Sequence, residues 1–136
     1  MSDESYWGNF SQGDDEEITP IQVLEYQAEQ LNEKARPRLH AIVGTSGMTG
    51  GAPRFRTTLA ISMPSIQRYS VDIVTVIHQL KEAYPVHLSD DLAAREEQAS
   101  FECEDENRFR SELKRILGSE RTVHVIRRLI ALAKTA

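Results

Sequence analysis

Cysteine is nearly absent from this chain: Cys103 is the single one among 136 residues. An internal disulfide is therefore excluded, and with it the cross-linked frameworks that hold small secreted domains together. Long apolar runs are missing as well. No stretch approaches the ~20 consecutive apolar residues that a bilayer-spanning helix needs. The opening Met-Ser-Asp-Glu-Ser is acidic where a secretory leader is basic and then apolar. These absences predict a soluble cytoplasmic protein of one small domain.

Ligand-spaced metal motifs are missing too. His40, His78, His87 and His124 lie far apart, and no His or Cys pair stands at zinc spacing. The acidic run 90–107 has no calcium-loop pattern. The glycine-rich residues 44–51 (GTSGMTGG) contain no lysine, and Pro53 leads on toward a strand rather than a helix. That excludes a phosphate loop and a dinucleotide fingerprint, both of which open a helix. The expectation there is a flexible hairpin tip. Cys103 sits between Glu102 and Glu104, which disfavour its thiolate, so it reads as a partly buried structural thiol rather than a nucleophile. No catalytic residue, metal or cofactor is predicted.

What the chain does have is charge in zones. The formal net charge is −5. Residues 1–17 hold six acids and no base, 18–89 are slightly basic, 90–107 hold eight acids against one base, and 108–136 hold eight bases against two acids. The first zone, polar and without periodicity, is predicted to be a disordered tail carrying Tyr6, Trp7 and Phe10. Residues 18–136 form the domain.

Periodicity predicts the elements. Thr19, Pro20 and Gln22 form a helix start with a capping box, and Arg36-Pro37 ends a helix over 19–35. Alternation around Leu39, Ala41 and Val43, and from Phe55 to Ile61, predicts two strands. Residues 70–83 carry both β-branched content and a helical stripe through Ile73, Val76, Ile77 and Leu80, and their length favours a helix. Short strands follow at Val86 and Leu88 and at 99–103. Two helices close the chain, the first stopped by Gly118 and the second capped by Ser119. The predicted class is α+β, two-layer, in the order αββαββαα, with a small mostly antiparallel sheet packed by helices.

Residues 19–61, with Thr-Pro-Ile-Gln-Val-Leu, a basic strand, a glycine-rich hairpin and Pro53-Arg54-Phe55-Arg56, resemble the first half of a double-stranded-RNA-binding domain. The resemblance implies an α-β-β-β-α fold that reads RNA by shape and phosphate contacts. The family's lysine-rich start of the second helix has no counterpart, since 65–84 offers only Arg68 and Lys81.

The last helix divides into an apolar half and a basic half of Arg121, His124, Arg127, Arg128 and Lys134. That basic face is one candidate binding surface, and the acidic loop with Asp90, Asp91, Glu96 and Glu97 is another. No Trp or Phe lies on the helix's apolar half, which argues against a membrane surface. The leading expectation is a non-catalytic protein-binding module: an adaptor, an immunity-type inhibitor or a regulatory subunit, with a homodimer possible. RNA binding through the basic helix is the alternative, and an enzyme with a site of scattered polar residues is the third reading.

Overall fold

The computed structural model describes Tyr6 and residues 18–66, 69–93 and 99–135. The tail expected over 1–17, Tyr6 apart, lies outside the described residues, as do Glu96 and Glu97.

Helix α1 spans Pro20–Ala35. Its start is the expected capping box: the Thr19 hydroxyl accepts from Gln22 N–H at 3.3 Å, and Thr19 N–H donates to Gln22 Oε1 at 2.9 Å. Two of the helix's orphan amide groups at that end are thereby satisfied. At the far end Arg36 takes an extended conformation (φ −64°, ψ 146°), as a residue before proline must.

Five strands follow without interruption: β1 His40–Met48, β2 Arg54–Ser62, β3 Ser70–Gln79, β4 Val86–Asp90 and β5 Ser100–Cys103. They pair antiparallel in chain order, a simple meander with β1 and β5 at its edges. The element expected as a helix over 70–83 is therefore β3, the centre of the sheet. The ladder explains the misreading. Register between β2 and β3 shifts at Leu59/Ala60. The bulge turns the consecutive Ile73 and Val74 both inward, ahead of Val76 and His78. Strict alternation is lost, and the sequence acquires a false three-and-four spacing. Leu80, which completed the apparent stripe, is exposed.

A second correction concerns the glycines. Gly44 and Gly47 belong to β1, facing Thr58 and Phe55, and only residues 49–53 form the turn. Gly50 and Gly51 take positive φ there (87° and 75°), which glycine adopts without strain.

Helix α2, Glu106–Leu117, is capped by Asp105, whose carboxylate accepts from Arg108 N–H at 2.8 Å. Helix α3 spans Glu120–Thr135. Ser119 receives Thr122 N–H, and the buried Thr122 hydroxyl donates to the Ile116 carbonyl at 2.7 Å, locking the joint between the two helices. The three helices among the described residues share one core with one face of the sheet. Leu24, Leu39, Ile61, Ile73, Val76, Leu88, Phe109 and Ile116 lie within it, and α3 adds Leu129. The class is α+β in two layers, in the order αβββββαα.

Candidate functional site

Among the described residues no helix covers the sheet's other face. Residues opposed across antiparallel strands share a face. The register accordingly sets Ile42, Ser46, Arg54, Arg56, Thr58, Ala60, Ser62, Asp72, Thr75 and Ile77 on the open side. Thr58 and Thr75 meet there at 3.4 Å, and the Thr75 hydroxyl donates to Asp91 at 2.6 Å. Burial pushes the Asp91 carboxyl above its ordinary value, with Asp72 and Asp90 adding to the rise and the Thr75 hydrogen bond opposing it. Among the described residues the open face has no Phe, Tyr or Trp in its strands, and its rings there are the imidazoles of His40, opposite Ser62, and His87, opposite Ile77.

One described member of each candidate charged set pairs with the other. Asp90 ends β4, is buried, and accepts from Leu92 N–H and from the Arg121 guanidinium at 3.1 and 3.3 Å. The end of β4 and the basic helix thus meet through Asp90 and Arg121 in a part-buried contact. His124, Arg127, Arg128 and Lys134 are exposed along α3, and none of the ion pairs among the described residues involves them. Several other cations of the C-terminal zone are already matched: Arg108 and Arg115 share Glu112, and Arg110 holds Glu106 at 2.6 Å.

Two interior features bear on chemistry. A polar chain crosses three strands: Thr45 Oγ1 lies 2.9 Å from Thr57 Oγ1, which lies 2.9 Å from His78 Nε2. The hydroxyl–imidazole pair has the spacing of a nucleophile and its base, but Thr57 is 0% exposed, so no substrate reaches it. Its role is to satisfy polar groups inside the sheet. Burial pushes the His78 imidazole below its ordinary value of 6.5. The unfolded chain then binds a proton that the folded chain does not, so this contribution to stability is complete above that ordinary value and declines as the pH falls below it. The urea midpoint is expected to drop between about pH 7.5 and 5.5, and to drop less in His78→Gln. Equal slopes in the two proteins would remove His78 from the account.

Cys103 is fully buried rather than partly so. Burial, then Glu112, pushes its thiol up, which disfavours the reactive thiolate. The second feature is an apolar cavity of about 250 Å³ between α1, α3 and the sheet, lined in part by Leu31, Leu59, Ile61, Ile73 and Ile126. It falls short of the ~300–1,000 Å³ usual for small-molecule pockets. Among the described residues no cluster of three His, Cys, Asp or Glu side chains could hold a metal ion, and no helix is long and apolar enough to cross a membrane.

The feature that sequence reasoning missed is the free edge of β1. Among the described residues this strand pairs with β2 alone. At Ala41 the side chain of Asn32 covers the other side: Ala41 N–H donates to Asn32 Oδ1 at 2.7 Å, and Asn32 Nδ2 donates to the Ala41 carbonyl at 3.1 Å. That pair fixes which backbone groups point outward. In an antiparallel ladder, outward groups recur at every second residue, so Val43, Thr45 and Gly47 also turn their N–H and C=O away from β2. No backbone or side-chain partner meets them among the described residues. Along the nine residues HAIVGTSGM there is no Lys, Arg, Asp, Glu or Pro and no bulge, the devices that ordinarily protect an edge. Beside this edge, α1 builds one wall of a shallow groove whose lining includes Glu25, Tyr26, Glu29, Asn32 and Val43.

No family model, no curated protein and no solved structure matches this chain. The partial likeness to a double-stranded-RNA-binding domain extends to a third strand. Two further strands then intervene, and the following helix begins with Asp105 and Glu106 where that family places lysines.

Proposed function

We propose that this chain is a non-catalytic protein-binding module that takes an extended segment of a partner protein onto the free edge of β1. The observation that carries the reading is the run of outward backbone groups at Val43, Thr45 and Gly47, which no described residue covers, on an uncharged strand beside a helix-walled groove. Strand addition is a recurrent way to bind a peptide: backbone hydrogen bonds give affinity, and pockets at alternate positions give selectivity. Asn32 supports the reading, because it makes with Ala41 the same pair of bonds that an incoming strand would make farther along.

Thr45→Pro tests it. Proline removes the outward N–H at the middle of the edge and leaves the ladder to β2 intact, since that N–H does not face β2. Thr45→Val is the control, because it loses the hydroxyl bonded to Thr57 but keeps the N–H. A photo-crosslinking residue placed at the exposed Ser46 is expected to capture a defined polypeptide from native lysate with the wild-type and Thr45→Val backgrounds, and not with Thr45→Pro. Capture that survives Thr45→Pro, in a variant with unchanged melting, sinks the proposal. Capture that instead disappears on nuclease treatment moves the function to nucleic acid and to the exposed cations of α3.

A further inference from the structure

Resting on that reading of β1, we infer that the segment received is basic, with Lys or Arg at alternate positions, and that Asn32 sets where it stops. A strand added beside β1 lies about 4.8 Å away and points every second side chain toward the helical layer. On that side the groove presents Glu25 and Glu29, one turn apart on α1 and both exposed. None of the ion pairs among the described residues involves either carboxylate. Tyr26, 57% exposed, belongs to the same lining and supplies an aromatic ring to which a cation is attracted. The intervening side chains of the added strand point to the open face, where their neighbours on β1 are Ile42, Gly44 and Ser46. Small or apolar residues suit those places. The segment therefore alternates cationic with small or apolar residues, a period of two dictated by the pleat.

The same two carboxylates argue against a second copy of this chain as the occupant. Edge-to-edge pairing of β1 with its own image brings Glu25 and Glu29 against their counterparts, and like charges in such positions destabilise a pairing. A basic segment removes that repulsion and adds attraction. The register is limited at one end: the Asn32 amide already occupies the outward groups of Ala41, so pairing begins at Val43 and runs toward Gly47.

The experiment uses the full chain and two labelled octapeptides, one alternating lysine with valine and the other glutamate with valine, followed by fluorescence anisotropy. The lysine peptide is expected to bind about tenfold or more tightly than the glutamate peptide at low salt, since each exposed ion pair contributes up to ~1 kcal/mol. Glu25→Gln with Glu29→Gln is expected to abolish that preference, and Thr45→Pro to abolish binding of the lysine peptide. Amide exchange is expected to slow at Val43, Thr45 and Gly47 on peptide addition and to stay unchanged at Ile42 and Gly44, which already face β2. If the lysine peptide binds equally well to Thr45→Pro, the attraction is charge without strand pairing, and the inference fails. If both peptides bind alike and both are lost in Thr45→Pro, the edge reading stands and the basic occupant is wrong. If neither binds, or if the chain sediments as a dimer that Thr45→Pro dissociates, a basic segment is again ruled out. In those last two cases crosslinking from Ser46 decides separately whether the edge meets a partner at all.

Discussion

Phe109→Ala is expected to lower the stability of the fold by ~3–5 kcal/mol, the range for deleting a fully buried ring. The side chain is 0% exposed and sits in the first turn of α2. Its ring stands 6.1 Å from that of Tyr84 at 54°, a tilted pair that adds to the area term. Helix α2 also roofs β4 and β5, whose inward residues Val86, Leu88 and Cys103 are all in the same core. Little else can move in to fill the void, because neighbouring Leu113 and Ile116 are themselves fully packed. A whole domain of this kind is stable by only ~5–15 kcal/mol, so the variant stands near the edge of folding. Urea unfolding of Phe109→Ala beside Leu80→Ala measures it. Leu80 is 62% exposed and is expected to change stability by less than ~0.5 kcal/mol. Comparable midpoints for the two variants would mean that α2 is not docked through Phe109.

The parts of this fold that were legible in the sequence are those governed by neighbours along the chain. Thr19, Pro20 and Gln22 announce α1 because a capping box needs residues only three apart. Gly118 and Ser119 mark the joint of α2 and α3 for a similar local reason. β3 was misread because its bulge is a property of the ladder with β2, not of its own residues. Gly44 and Gly47 passed for a loop because glycine serves turns so often, and only pairing with Thr58 and Phe55 makes them strand.

The candidate site was hidden for the same kind of reason. Which strand lies at an edge is decided by the order of the whole sheet, and the β1 sequence carries no mark of it. Nothing in the sequence marks Asn32, since its bonds reach across the turn to Ala41. The basic side of α3 was readable from its wheel, and His124, Arg127, Arg128 and Lys134 are exposed there. That Arg121 turns to Asp90, 31 positions away in the chain, was not readable.

Leu24→Ala is expected to be nearly as damaging as the loss of Phe109, at ~2–5 kcal/mol, and its effect bears on the site. A helix of sixteen residues is marginal on its own in water, so α1 holds its shape through the stripe it buries. That stripe is narrow: Val23, Leu24 and Ala28 are its buried members beyond Pro20, and Leu24 is the largest, with 0% exposure. Truncating it to alanine removes the main apolar anchor between α1 and the sheet. The Asn32 amide is carried by the same helix, so loosening α1 also weakens the bonds that cover Ala41. Two readouts are therefore expected together. The urea midpoint falls, and the Ala41 amide exchanges faster by a larger factor than the amides of Ile42 and Gly44, which are held by β2. A lowered midpoint with uniform acceleration along β1 would show that α1 and the sheet open as one unit, leaving Asn32 no separate part in guarding the edge. An unchanged midpoint would mean that Leu24 does not anchor the helix, and the orientation of α1 over β1 would have to be abandoned.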